Sequence, residues 1–159
     1  MKSFSLEVLR KSSARFSVRH LEQLAWKVIK GTRPELVKYG PLRLSLAWVT
    51  DKEIRKVNAL YRGKNEATDV LSFSFVERGR PAQDGCIGEL LISTETLKRQ
   101  AKAQKHSMLV ESDVLLVHGV LHILGHDHER PHQLSAMLKL EKKYLGDKAG
   151  LIARSLVET

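Results

Sequence analysis

The run His118-Gly119-Val120-Leu121-His122-Ile123-Leu124-Gly125-His126-Asp127-His128 limits what this chain can fold into more than any other stretch. His118 and His122 stand four residues apart, so on a helix they share one face, a turn from each other. His126 cannot join them on an unbroken helix, because it lies roughly 12 Å along the axis from His118 at about 1.5 Å per residue. Zinc takes each imidazole nitrogen at about 2.0–2.1 Å, so three stacked turns do not converge on one ion. Gly125 removes the difficulty. Glycine readily leaves a helix in the left-handed conformation, and the chain can then fold back to present His128. The array predicts a helix, a break and a returning ligand, with His118, His122 and His128 as the metal set. Five of the seven histidines fall between positions 118 and 132. His126 and His132 are read as surface residues, as neighbours of the ligands, or as cleft residues near a substrate phosphate.

The same spacing matches the zinc-protease pattern H-E-x-x-H-x-x-G-x-x-H at every defined position except 119. Gly119 stands where a protease carries the Glu that serves as general base. A peptidase mechanism is therefore incomplete unless a base arrives from elsewhere. Lacking a side chain, Gly119 is expected to leave space beside the ion. Three neutral imidazoles leave the ion its full charge and an open position, which suits an anionic substrate.

Charge points the same way. Lys plus Arg number 27 against 18 Asp plus Glu in 159 residues, a formal net charge of +9. Such an excess favours an anionic partner, most commonly nucleic acid, and with a hydrolytic metal site it favours a phosphodiester substrate. The length suggests one domain, and 42% hydrophobic residues suffice for one core. The single cysteine, Cys86, excludes an internal disulfide and the four-cysteine zinc motifs. It is read as a small buried or loop residue, and a reducing, cytoplasmic setting is consistent with it. No signal-peptide run opens the sequence, and no stretch approaches the roughly 20 apolar residues of a membrane span.

Along the chain, Phe4 to Leu9 and residues 42 to 49 alternate as strands, with Leu42, Leu44 and Leu46 on one face. Leu21, Leu24, Ala25 and Val28 recur at helical spacing from about Val18 to Lys30, with Gly31 as the stop. Thr50 and Glu53 form a capping box that opens a helix to about Tyr61. A polar loop over 62–67 precedes a β-rich run, Asp69 to Val76. Residues 77 to 86 carry turn chemistry and look mobile. Ile87 to Ile92 is a fourth strand, and Ser93 or Thr94 caps a helix to about Gln104. An apolar helix from about Met108 to Leu124 carries His118 and His122, and a last helix follows Pro131 to about Leu145. The expected fold is α/β (α+β): one domain, a small mixed sheet of about four strands packed by about five helices, and a metal site in a cleft.

Four blocks now carry a family resemblance: Asn58-Ala59-Leu60-Tyr61-Arg62, Thr68-Asp69-Val70-Leu71-Ser72-Phe73, Ile87-Gly88-Glu89-Leu90-Leu91-Ile92-Ser93, and His118 to His128. In this order they resemble the YbeY family of bacterial metal-dependent endoribonucleases, or rRNA maturation factors. The resemblance implies one zinc ion on His118, His122 and His128. It also implies cleavage of single-stranded RNA, a role in small-subunit rRNA 3′-end maturation, and the small ribosomal subunit or its assembly factors as partners. The family's functional arginine falls on Arg62, expected to grip phosphate, with His118 and Arg62 as the catalytic pair. Asp69 either orients a histidine or caps a turn. Ala67 and Ser74 replace frequent prolines and are expected to alter loop stiffness only. His126 replaces a frequent tyrosine, and Glu89 a frequent aspartate whose role at the site is thereby less certain. A metalloprotease-like hydrolase and a non-catalytic assembly factor with a structural zinc are the rival readings.

Overall fold

Alternation decides the sheet. In the computed structural model, which describes residues 2–10, 16–127 and 129–149, the strands are β1 (Phe4–Arg10), β2 (Leu42–Val49), β3 (Val70–Ser74) and β4 (Cys86–Ser93). The helices are α1 (Val18–Thr32), α2 (Asp51–Arg62), α3 (Thr94–Ala103), α4 (Met108–Ile123) and α5 (Pro131–Leu145), with 3₁₀ turns at Pro34–Tyr39 and Gly146–Ala149. The sheet order is β1-β2-β4-β3, parallel except for the antiparallel edge strand β3. The mixed four-stranded sheet with five α-helices is the expected α+β arrangement.

The two sheet faces are buried by different residues. Phe4, Leu6, Leu44, Leu46, Trp48, Leu90 and Ile92 point into the main core with α1, α4 and α5. Val49, Leu71, Leu91 and Phe73 point to the other face, where Ile54 of α2 packs. A period of two guarantees this split. Helix α4 is buried nearly all round, and it lies against α1, α3, α5, β3 and β4. Such a helix has no solvent stripe, so its polar residues must find partners inside. His106 meets Glu111 at 2.6 Å, and His20 meets Asp113 at 2.8 Å, with Lys148 on the other oxygen at 3.4 Å. Burial pushes the Glu111 carboxyl above its usual range, against the pull of His106.

The ends of the elements follow local chemistry. The Thr50–Glu53 capping box forms with both hydrogen bonds, 3.2 and 3.0 Å. Gly63 ends α2 in the left-handed conformation at φ +69°. The hydroxyl of Ser93 caps α3 and also donates to Asp51 at 2.6 Å, so the first turns of α2 and α3 are clasped together. Gly31 behaves differently from the expectation. Helix α1 runs through it to Thr32 and stops before Pro34, because the residue preceding a proline is disfavoured in helical backbone. A Cβ on Gly31 would lie 2.2 Å from the Tyr144 hydroxyl, so the glycine serves the close contact of α1 with α5. The segment expected to be mobile, 77–86, holds turn hydrogen bonds: Glu77 and Arg80 exchange two, and Gly85 donates to the Ala82 carbonyl at 2.9 Å. Cys86 is buried, and burial pushes its thiol up, which fits a packing residue. Among the described residues, no helix is long and apolar enough to cross a membrane.

Candidate metal centre

The break in the histidine helix is built as the sequence predicts. Gly125 takes φ +99°, its amide donates to the His122 carbonyl, and the His126 amide reaches back to the Leu121 carbonyl, both at 3.0 Å. This pair of bonds is a Schellman ending, in which a left-handed glycine satisfies the last helical carbonyls. Two long-range contacts complete it. The Ser74 hydroxyl donates to the Ile123 carbonyl at 2.7 Å, and the Arg33 guanidinium donates to the Leu124 carbonyl at 2.8 Å. Ser74 thus does more than set loop stiffness: it holds the helix end from the edge strand.

One turn before that ending, His118 and His122 bring their Nε2 atoms to 3.1 Å. Two imidazoles on one tetrahedral ion, with bonds of about 2.0–2.1 Å, would hold these atoms about 3.3–3.4 Å apart. The pair therefore fits a shared ion, and the donor set suits zinc as well as other imidazole-binding metals. The Nδ1 atom of His118 lies 2.8 Å from Oε1 of Glu141, which makes that nitrogen the protonated one and turns Nε2 toward His122. The predicted third ligand, His128, lies outside the described residues. Among the described residues no group of three His, Cys, Asp or Glu side chains is placed to hold an ion.

Gly119 corrects one expectation. It leaves no space beside the ion, because it faces the sheet: a Cβ there would lie 2.6 Å from Leu90 Cδ2 and 3.3 Å from Ser72 Oγ. Position 119 is glycine so that α4 can press onto β3 and β4. A glutamate there would enter the core on the sheet side of the helix, so the protease pattern lacks its base for a steric reason.

Arg62 is the last residue of α2 and is exposed, with no hydrogen bond or ion pair among the described residues. It is not in contact with the histidine pair. Its neighbour Tyr61, 68% exposed, stands edge-on to Phe73 with ring centroids 5.4 Å apart. The end of α2 meets β3 at Phe73, and the end of α4 meets it at Ser74. The two approach the same end of the edge strand from opposite faces. The structure thus brings Arg62 and the histidines to one strand end without joining them.

The remaining candidates have other surroundings. Asp69 accepts from the Val70 amide at 2.7 Å and from Gln100 at 3.2 Å, which is the turn-capping alternative. Glu89 pairs across the sheet with Phe73 and is exposed on the α2 face, away from α4. His126 is half-buried, and burial together with the Arg33 guanidinium holds its imidazole below the ordinary histidine range. His132 is exposed on the first turn of α5. Glu141 and Tyr61 were not singled out from the sequence. The signal for Glu141 was present: it falls on the apolar stripe of α5 with Met137, Tyr144 and Leu145, where a carboxylate is out of place.

A family model described as Endoribonuclease YbeY matches residues 8–148. A protein named Endoribonuclease YbeY from Myxococcus xanthus is 44% identical over 117 residues, covering 72% of this chain and 39% of that protein. One of the same name from Anaeromyxobacter dehalogenans is 41% identical over 115 residues, covering 72% and 58%. Another from Heliobacterium modesticaldum is 40% identical over 137 residues and covers 79% of each chain. The chain thus spans less than two thirds of the first two relatives' own lengths. The solution structure of TM1509 from Thermotoga maritima superposes with a TM-score of 0.57 at 21% identity, covering 97% of this chain and 95% of that one. That likeness concerns the fold.

Proposed function

Because the chain belongs to the YbeY endoribonuclease family, we propose that it is a zinc-dependent endoribonuclease that cuts single-stranded RNA. The observation that carries this reading is the His118–His122 pair, with Nε2 atoms 3.1 Å apart on a helix ended by Gly125. His118, His122 and His128 hold the ion. When bound, it supplies Lewis acidity toward a phosphodiester. Arg62, exposed and without a hydrogen-bond or ion-pair partner among the described residues, offers two parallel hydrogen bonds to phosphate oxygens as charge builds on them. Tyr61 beside it offers an aromatic face for an unstacked base. The formal charge of +9 draws a polyanion to the surface. The attacking oxygen is either water or the RNA's own 2′-hydroxyl. Cyclic phosphate ends, and resistance of RNA with a 2′-deoxy sugar at the cut, identify the second.

The cellular role we propose is small-subunit rRNA 3′-end maturation in the cytoplasm, with the small ribosomal subunit or its assembly factors as partner. The protease reading is disfavoured by the packing of Gly119 against Leu90. The test combines elemental analysis with RNA cleavage for the wild type and for His118→Ala, His122→Ala and His128→Ala. Zinc and cleavage are expected to be lost together. Full zinc retention in all three variants would sink the ligand set, and undiminished cleavage would sink the catalytic role. Normal rRNA 3′ ends in cells carrying His118→Ala would remove the proposed role of cleavage in maturation and favour a non-catalytic assembly factor, whose metal-site variants still support ribosome maturation.

A further inference from the structure

Glu141 presents a cost that the fold alone does not explain. Its side chain is fully buried, on the stripe of α5 that packs against α1 and α4. Oε1 meets the Nδ1 atom of His118 at 2.8 Å, while Oε2 is buried with no hydrogen-bond partner among the described residues. Taking a carboxylate out of water is expensive, and one hydrogen bond does not offset it. A leucine or methionine would fill this stripe without that expense. The chain spans 23 residues between the two partners, so the contact exists only because α5 docks here. Docking is fixed one turn later, where the Tyr144 hydroxyl meets Thr32 Oγ1 at 3.1 Å over the bare Gly31.

We infer that Glu141 is a positioning residue for the metal site, a carboxylate that orients His118 and supplies negative charge behind it. This rests on the reading of His118 and His122 as metal ligands. Accepting from Nδ1–H, the carboxylate selects the tautomer whose Nε2 lone pair faces His122. It also fixes the ring's orientation, since the 2.8 Å contact leaves the imidazole one way to face His122. A carboxylate behind a ligating imidazole commonly accounts for about 10–100-fold in metal affinity. The assignment also gives α5 a task. The last long helix carries no ligand of its own in the described residues, yet it sets the orientation of one.

The molecule contains its own control. His106 and Glu111 form the same kind of buried pair, Nε2 to carboxylate at 2.6 Å, at the first turn of α4 and with no second histidine beside them. Zinc affinity is measured by chelator competition on the full chain for the wild type, Glu141→Gln, Glu141→Met and Glu111→Gln. The folded fraction of each metal-free protein is measured by circular dichroism. Glu141→Gln and Glu141→Met are expected to weaken zinc binding by about 10–100-fold in protein that remains folded, with Glu111→Gln unchanged. Either Glu141 variant, folded and binding zinc as tightly as the wild type, overturns the proposal. So does an equal loss in Glu111→Gln, which would trace the effect to general loosening of α4. Failure of the wild type to bind zinc is a different result: it defeats the metal reading itself.

Discussion

The Ser74 hydroxyl donates to the Ile123 carbonyl at 2.7 Å, tying the last residue of edge strand β3 to the last turn of the histidine helix. Helix carbonyls at this position have no partner within the helix, so the hydroxyl supplies what the break at Gly125 would otherwise leave to water. Ser74→Ala is expected to cost about 1 kcal/mol of unfolding free energy, read from urea denaturation of the metal-free protein. An unchanged urea midpoint would mean that water replaces the hydroxyl at no loss.

Gly119 and Leu90 set a second expectation. A Cβ at 119 would come within 2.6 Å of Leu90 Cδ2, and Leu90 is itself buried in the main core. Gly119→Ala should destabilise the protein by about 1–3 kcal/mol through overpacking, measured in the same denaturation. Gly119→Glu, which restores the protease pattern on paper, is expected to bring no peptidase activity. A folded Gly119→Glu protein that digested a peptide library would reverse that judgement.

At the other side of the edge strand, Arg62 should matter to RNA and not to folding. It is exposed and has no partner among the described residues, so Arg62→Ala is expected to leave stability and zinc content alone while RNA cleavage falls by about 10²-fold or more. Arg62→Lys should restore only part, since a lysine cannot form the planar two-bond grip. Tyr61→Ala should weaken binding of single-stranded RNA by about 1–3 kcal/mol. Wild-type turnover in Arg62→Ala would return the residue to a solvated surface charge.

Asp51 gives a pH-dependent expectation. Burial pushes its carboxyl up, but hydrogen bonds from Ser93, Thr96 and Arg99 outweigh that and hold it below the usual carboxylate range. A carboxyl depressed in the folded state binds fewer protons there than in the unfolded chain. Its stabilisation is therefore complete above the ordinary value of 3.8 and fades as pH falls through the folded-state value. Asp51→Asn should thus destabilise most at neutral pH, with the difference from wild type shrinking in acid. Equal differences in urea midpoints at about pH 7 and about pH 3 would show that the charge is not what stabilises the clasp.

Much of this was legible in the linear sequence, and the successes share a cause. The Thr50–Glu53 box, the Ser93 cap, the alternation of Leu42, Leu44 and Leu46, and the helix break at Gly125 all depend on neighbours within a few residues. The misreadings share the opposite cause. Gly31 read as a helix stop because nothing nearby announces Tyr144, which packs on it from the far end of the chain. Gly119 read as room beside an ion because which way a missing side chain would point depends on how α4 is rolled onto the sheet. Glu89 lies within the third resemblance block, yet the pleat turns it to the face away from α4.

By itself, the sequence determined that His118 and His122 share a helical face, that the helix must break after Leu124, and that a helix opened by Thr50 and Glu53 ends close to Arg62. Backbone periodicity and glycine's conformational freedom fix those locally. Only the tertiary structure decided that Glu141 stands behind His118, that Arg33 and Ser74 hold the helix end, and that α2 and α4 reach one strand end from opposite faces. Those contacts join residues 23 to 91 positions apart. They exist because burying the sheet's two faces brings the helices together, and no local signal specifies that.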